Sequence, residues 1–337
     1  MAATCPECPA RLSECRTKSE INNSDIGMLH AARFLRRQCG MTAARQILPG
    51  RVYMITRRCT QRTFLLRPDP ATTQTFLYCL AHAAEQTGVT VLGSVVMSNH
   101  HHTIIYDPKD FLSAFMESLH GLVARAMNCL RGRWEHFWDE QQVNAPPLVE
   151  VSDVLRMMAY AATNPVRADL VEHAEQWPGL NTAEAFLRGT PLTVERPRHF
   201  FRQQGKGCLP ERLTLTLGWP ESLGPVDAAR RALRGLIDEI EGRLRQERVS
   251  QRRRVLGRDA VRRMDVEARP ATREPRRRLR PTIAAGDSAA RVAAILSYRA
   301  FREAYRAARD RLLKGLSAVF PPGTYWLRRN AGVAVLE

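Results

Sequence analysis

Apolar and polar residues follow two different periods between Arg51 and Pro165, and each change of period marks a new element. RVYMITRRC is rich in β-branched and aromatic residues, which is typical of a strand. DPATTQTFLYCLAHAAEQTG has a helix N-cap at Asp69 or Thr72 and a stop signal at Gly88, so it predicts a helix. VTVLGSVVM and HHHTIIY flank the turn residues SN and predict two further strands.

Two more helical patterns follow these strands. DPKDFLSAFMESLHGLVARAMNCLRGR predicts an amphipathic helix, because its apolar residues recur at helical spacing. These apolar residues are Phe111, Phe115, Leu119, Leu122 and Met127. SDVLRMMAYAATNP predicts a helix that is capped by Ser152 and ends before Pro165.

The predicted order is strand, helix, strand, strand, helix, with a last helix after a loop. One further strand would complete a four-stranded sheet, and we place it in HFWDEQQ. The fold class expected from this order is α+β, a ferredoxin-like antiparallel sheet with helices on one face. A mainly helical, basic C-terminal region would follow it.

Changes of composition divide the chain into five expected segments. They are a loosely ordered N-terminal extension (1–40), a folded domain (41–180), a connecting segment (181–226), an Arg-rich segment (227–281) and a helical C-terminal segment (282–337). Met41 begins the first regular stretch and is an alternative start to Met1.

The eight cysteines are most simply free thiols in a chain of this size. Cys5, Cys8 and Cys15 lie close together in the extension, and the first two form a CxxC pair. A zinc site there is the alternative, with His30 or Cys39 as a loosely spaced fourth ligand.

Net charge adds a partner class to this organisation. The chain has 51 Lys and Arg against 34 Asp and Glu, a formal net charge of +17. Nucleic acid is the leading polyanion for such a surface, ahead of an acidic membrane. No apolar run approaches the ~20 residues of a spanning helix, and the N-terminus lacks a signal-peptide core. We therefore expect a cytoplasmic, nucleoid-associated protein with no membrane contact.

The Arg-rich segment holds much of this charge. Residues 227–281 contain 18 Arg and nine Asp and Glu, and no aromatic residue. The segment is either a solvated helix face or an arm that contacts phosphates. Stacking of nucleobases is not expected there, because aromatic rings are missing.

Three consecutive histidines begin one of the predicted strands. Side chains alternate along a strand, so His100 and His102 share a face and His101 points to the other. Residues two apart in a strand are about 6.5–7 Å apart at Cα, which lets two imidazoles hold one divalent ion. A third ligand would have to come from elsewhere. The alternative is three polar residues beside a hairpin turn.

Three segments together resemble one protein family. VVMSNHHHTII is similar to the strand MPNHVHLL of HUH single-strand endonucleases, above all REP-associated tyrosine transposases and single-tyrosine insertion-sequence transposases. RVYMITRRCTQRTFLL resembles the family's first strand and its Arg-bearing exit. YAATNPVRADLVEHAEQWPGL resembles the family segment Y-x-x-x-NPVRAGLV followed by WP. The resemblance covers roughly residues 47–180.

The resemblance implies a metal-dependent reaction on DNA. His100 and His102 would bind a divalent cation, Mg²⁺ or Mn²⁺, which polarises the scissile phosphate of single-stranded or hairpin DNA. A helix-borne tyrosine would then attack, leaving a 5′-phosphotyrosine and a free 3′-OH. Both homodimers and monomers occur among the relatives. His101 departs from the apolar residue of the family, and we expect it to be solvated or hydrogen-bonded.

The nucleophile is the second departure. The family tyrosine is expected about twenty residues before the NPVRA asparagine, and 21 residues before Asn164 stands Val143. Tyr160 matches the tyrosine just before NPVRA, where we expect a scaffold role, and it is the substitute nucleophile. Tyr106 lies ~13 Å along the strand from His102, which is too far. A third metal ligand or a water-activating group could come from the loop residues Asp139, Glu140, Gln141 and Gln142.

Basic and aromatic residues around these segments are the expected DNA contacts. Each arginine taken singly is equally well explained as a solvated surface charge. The expected set is Arg57, Arg58, Arg125, Arg131, Arg133, Arg167 and Trp134. Aromatic residues between arginines, as in RGRWEHFW, suit stacking on unpaired bases, and core packing is the alternative.

Three functions therefore stay open. The first is a transposase-like enzyme that nicks and rejoins single-stranded or hairpin DNA. The second is an inactive nucleic-acid-binding protein on the same fold. The third is a metal-dependent nuclease that uses water, with Asp139 or Glu140 assisting.

Overall fold

The computed structural model describes residue 31 and residues 44–141, 143–272 and 282–337. Several expectations lie outside these ranges. They concern the N-terminal extension apart from Ala31, the thiols Cys5, Cys8, Cys15 and Cys39, the start at Met41, the side chain of Gln142 and the arginines of residues 273–280.

A four-stranded sheet with strand order β2-β3-β1-β4 forms the centre of the fold, and every pair of neighbouring strands is antiparallel. Its strands are β1 (Arg51–Arg58), β2 (Thr90–Met97), β3 (His100–Asp107) and β4 (Pro147–Leu148). The α+β class and the first three strands are as predicted. β2 and β3 form a hairpin around Ser98 and Asn99, as the turn residues indicated.

The prediction that the fourth strand lies in HFWDEQQ is wrong, because the fourth strand is β4 (Pro147–Leu148). In that stretch Trp138 makes a single bridge to Cys59, and the ladder beside β1 is formed by Pro147 and Leu148. Proline cannot donate to a ladder, so it is confined to edge strands and bulges. Here the Pro146 carbonyl accepts from Met54 N at 3.1 Å, so the prolines mark the sheet edge where only acceptors are needed.

The principal helices of the described residues are α1 (Pro70–Thr87), α2 (Leu112–Arg131), α3 (Val151–Ala162), α4 (Asn164–Arg167), α5 (Ala183–Arg188), α6 (Val226–Ser250), α7 (Arg258–Arg263), α8 (Ser288–Leu313) and α9 (Tyr325–Ala331). Asp69 caps α1 by accepting from Thr72 N at 2.8 Å, and Gly88 ends it at φ +67°. Short 3-10 turns lie at Thr60–Arg62, Ala174–Gln176 and Glu221–Leu223.

Helices cover both faces of the sheet, which corrects the expected one-sided arrangement. Tyr53 and Ile55 of β1 pack in one core with α1 and α2. Val52 and Met54 point the other way, into a second core with α3 and α6. All four of these consecutive residues are buried, so β1 has no polar face that could be left to water.

Segments beyond residue 180 pack on this double-sided sheet. The hairpin of β5 (Leu192–Glu195) and β6 (Arg212–Leu215) joins the core of α1 and α2, and α6 packs along α3. A small separate core links α8 and α9 with β7 (Val319–Phe320) and the parallel β8 (Ala334–Val335). The segment boundaries drawn from composition stay predictions.

No helix within the described ranges combines the length and the apolar character that crossing a membrane requires.

Candidate functional site

Strand register brings the two alternate histidines to the same face at one end of the sheet. His100 lies opposite Arg58 of β1, and His102 lies opposite Thr56. Residues that are directly opposite in an antiparallel pair share a face, so these four side chains stand together. This face is the one that α3 covers.

Hydrogen bonds orient both imidazoles. Asn99 Oδ1 lies 2.7 Å from His100 Nδ1, so this nitrogen is the donor and Nε2 keeps its lone pair. His102 Nδ1 lies 2.9 Å from Thr56 Oγ1, and its Nε2 lies 3.2 Å from Asn164 Nδ2. The two rings meet edge to face, with centroids 4.9 Å apart. Fixing one ring nitrogen by a neighbour is how metal-binding histidines are usually held.

Tyr160 of α3 packs against this pair. Its ring centroid lies 5.7 Å from that of His102, and the residue is 36% exposed. The guanidinium of Arg167, from α4, lies 5.2 Å from the centroid of the tyrosine ring. One helical turn separates Tyr160 from Asn164, which contacts the same histidine. The site therefore combines two histidines, a phenol, an amide and a guanidinium.

Burial keeps both histidines neutral. It lowers the pKa of His102 to about 4. The pKa of His100 lies well below its usual value, first because of burial and then because of His102 and Arg58 nearby. A neutral imidazole is the form that offers a lone pair to a metal ion.

The donor set fits a divalent ion held by two histidines. His100 Nε2 is available, whereas an ion on His102 Nε2 would have to take the place of the Asn164 amide. No group of three or more His, Cys, Asp or Glu side chains that could hold a metal ion occurs in the described part of the chain. Any further ligand from these residues would therefore be an amide, a hydroxyl or a carbonyl.

His101 points to the opposite face and is fully buried there. Its Nε2 lies 3.0 Å from His120 Nε2 of α2, and its Nδ1 lies 3.0 Å from Thr103 Oγ1. Trp138 packs on both rings and donates from Nε1 to the His120 carbonyl at 2.9 Å. Of the two outcomes expected for His101, the structure shows the hydrogen-bonded one, because the side chain is buried away from solvent. His120 was not identified from the sequence. It could have been found as a polar residue on the apolar face of the predicted helix.

The predicted DNA-binding arginines fall into different surroundings. Arg131 donates to Asp69 at 2.8 Å and to Thr72 Oγ1 at 2.6 Å, so it fastens α2 to the cap of α1. Arg133 donates to Glu267 at 2.9 Å. Arg57 lies 5.3 Å from the centroid of the Trp138 ring, on the face away from the paired histidines. Burial lowers the pKa of Arg57.

Of the remaining predicted DNA-binding residues, Arg58 is half-buried, and Arg125, Trp134 and Arg167 are exposed. Arg58 lies opposite His100, and Arg167 lies at Tyr160. Arg125 is exposed on α2, near Cys79. Trp134 is 94% exposed, whereas Phe137 and Trp138 of the same stretch are buried in the core of α1 and α2, so the core-packing alternative holds for those two rings. The fold thus brings Arg58 and Arg167 to the histidine pair and places the other arginines elsewhere.

The position where the nucleophile was expected lies at the sheet edge. Val143 packs against the core of α1 and α2, and its carbonyl accepts from Arg45. Asn144, the next residue, pairs with Thr56 through the backbone. Nearby, Asp139 Oδ1 accepts from Gln141 N at 2.9 Å, and Glu140 is exposed. Tyr160, not Val143, is the residue that meets His102.

Two contacts of His102 were not found from sequence. Thr56 lies in a predicted strand with no feature that marks it as a site residue. Its contact with His102 follows only from the register between β1 and β3. Asn164 was noted only as part of NPVRA, and the docking of α4 brings its amide to the imidazole.

No protein-family model matches this chain, and no curated protein matches it. One solved structure is similar, that of a REP-associated tyrosine transposase bound to a REP hairpin. The sequence identity is 16%, the match covers 44% of this chain and 86% of that one, and the TM-score is 0.38.

Proposed function

We propose that this protein is a transposase-like enzyme that nicks and rejoins single-stranded or hairpin DNA, with Tyr160 as the nucleophile. The observation that carries the proposal is the contact between Tyr160 and the histidine pair, with ring centroids 5.7 Å apart at His102. In this proposal the sheet is a ferredoxin-like, HUH-type sheet. Its strand order β2-β3-β1-β4 supports that assignment.

The proposed reaction is a transesterification at phosphorus. The Tyr160 oxygen forms a bond to the phosphorus, and the bond from phosphorus to the 3′ oxygen of the preceding nucleotide breaks. The phenolic proton passes to solvent, and the departing oxygen gains a proton to become a 3′-OH. A 3′-OH that attacks the phosphotyrosine reverses these changes, so rejoining needs no added energy.

His100 and His102 would hold Mg²⁺ or Mn²⁺, which when bound supplies Lewis-acid polarisation of the phosphate. Asn99 and Thr56 keep the two imidazoles in place before any ion arrives. The Arg167 guanidinium, on the tyrosine ring, would hold the phenol toward the phosphate and add positive charge there.

DNA as the partner follows from charge as well as from the site. The net charge of +17 favours a polyanion, and Arg58 and Arg167 flank the site. Trp134 is exposed enough to stack on an unpaired base. We propose a cytoplasmic, nucleoid-associated protein that acts on a mobile element, as a homodimer or as a monomer.

The test is a cleavage assay with the full chain and end-labelled hairpin-bearing single-stranded DNA, with Mn²⁺ or Mg²⁺. The expected result is a protein–DNA adduct that survives denaturing gel electrophoresis. Tyr160→Phe should abolish the adduct. Tyr106→Phe is the matched control, because Tyr106 is on the same strand face as His102 but four residues further along.

The other functions give different results in the same assay. Hydrolysis without an adduct, unaffected by Tyr160→Phe, would show a nuclease that uses water. Binding without cleavage would show an inactive DNA-binding protein. If His102→Ala leaves cleavage unchanged, the assignment of the metal pair is wrong.

A further inference from the structure

A cavity of about 530 Å³ lies at the β4 edge of the sheet, separate from the histidine site. Its walls are mostly apolar and come from residues 45–53, from the β4 segment, and from α8 with the residues just before it. They include Pro146, Pro147, Val149, Ile283, Ala290 and Ala294. The volume falls within the range of small-molecule sites, roughly 300–1,000 Å³.

Arg45 brings a positive charge to this cavity. Its guanidinium donates to the Val143 carbonyl and lies 3.7 Å from Met116 Sδ, and both of these are uncharged. Burial lowers the pKa of Arg45, and the ionisable neighbours that act on it are Tyr298 and Tyr53. No ion pair joins Arg45 to a carboxylate of residues 44–141, 143–272 or 282–337.

Arg45 is half-buried, and a cation withdrawn from water without a counter-charge is unusual, because buried charges are normally paired. The hydroxyls of Tyr53 and Tyr298 beside Arg45 already form hydrogen bonds to the backbone. Tyr53 Oη accepts from Leu48 N at 3.0 Å, and Tyr298 Oη donates to the Ala44 carbonyl at 2.9 Å. The cavity therefore offers the positive charges of Arg45 and of the exposed Arg51, and its walls are apolar more than they are a pattern of hydrogen-bonding groups.

We propose that this cavity binds an organic anion with an apolar body, of the medium-chain carboxylate type, with its charged group at Arg45. Apolar walls contact the body of the ligand, and the anion neutralises the guanidinium. The site does not depend on the proposed DNA chemistry, because neither histidine of the pair lines the cavity.

The site can be tested by thermal denaturation of the full chain. Sodium decanoate is the charged probe, and decanol is the uncharged control. Decanoate at about ten times its Kd should raise the melting temperature by roughly 2–4 °C, and decanol should raise it less. Arg45→Met should remove most of the difference between the two probes, with Arg51 accounting for what remains, whereas Arg45→Lys should keep the difference. Isothermal titration should give one decanoate per chain.

Two further variants separate this site from general binding to a basic surface. Ala294→Leu fills the cavity from α8 without changing charge, so it should at least halve the decanoate shift even if Arg45→Met does not fold. Arg188→Met removes an exposed arginine that pairs with Glu184, and its decanoate shift should match the wild type. Equal shifts in all variants, or equal shifts for decanoate and decanol, would overturn the proposal.

Discussion

Arg248 ties the Arg-rich helix α6 to the segment that carries Asn164. Its Nε donates to Asp169 Oδ1 at 3.1 Å, and its Nη2 donates to the Val166 carbonyl at 3.3 Å. The Arg248 side chain is 8% exposed. Arg253 pairs with the other oxygen of the same carboxylate but is 37% exposed. One carboxylate thus offers a buried and an exposed arginine for comparison.

The expected cost of removing each arginine follows from its burial. Breaking a buried ion pair by removing one partner costs about 3–5 kcal/mol. Asp169 is 24% exposed and keeps Arg253, so for Arg248→Met we expect a loss of about 2–3 kcal/mol. An exposed pair contributes about 1 kcal/mol or less, so Arg253→Met should lower the free energy of unfolding by no more than that.

Urea unfolding followed by far-UV circular dichroism measures both changes. Methionine keeps most of the apolar stem of arginine, so the comparison isolates the guanidinium. The double variant should lose more than the sum of the single changes, because Asp169 would then be left without either cation. If the two single variants agree within 0.5 kcal/mol, which is about the size of non-additivity between distant sites, burial does not control this pair.

Three other results are expected. Asp69→Asn keeps an N-cap of similar strength but removes the charge that Arg131 contacts, so it should lower the unfolding free energy at pH 7 by about 1 kcal/mol, measured by urea titration at several pH values. Burial alone would raise the pKa of Asp69, but the hydrogen bonds from the Thr72 N–H and from Arg131 outweigh burial and lower the pKa. The charged carboxylate therefore stabilises the fold above about pH 4, and this stabilisation is lost as the pH falls further. The difference in unfolding free energy between the wild type and Asp69→Asn should become smaller over the same pH range. His101→Leu should cost about 1–3 kcal/mol because His120 loses its partner, and adding His120→Leu should cost less than a second independent loss in the same urea assay. Trp134→Ala should weaken binding of labelled oligo-dT by about 5- to 150-fold in fluorescence anisotropy with no change in melting temperature, since the side chain is 94% exposed.

Local patterns predicted most elements of the central unit. The N-cap at Asp69, the stop at Gly88 and the turn at Ser98 and Asn99 all lie where the sequence placed them. These signals are short-range, because a cap or a turn depends on residues within one helical turn of each other. Strand alternation likewise separated His101 from His100 and His102 without any tertiary information.

Positions that depend on distant contacts were predicted less well. The fourth strand was misplaced because Pro146 and Pro147 look like interruptions, and they become acceptable only at a sheet edge that needs acceptors. The second helical layer was missed because the apolar run of residues 52–55 in β1 does not show which elements will cover it. The contact of Arg131 with Asp69 was not predicted, because the two residues are 62 positions apart in sequence.

The histidine site shows the same division between local and distant information. The period of two along β3 was sufficient to pair His100 with His102, because backbone geometry alone sets that period. Which groups meet this pair depends on strand register and helix docking, which bring Thr56, Tyr160 and Asn164 to His102 from 46 to 62 residues away in the chain. Those contacts are decided by the burial of the two cores as a whole, and no short stretch of sequence contains that information.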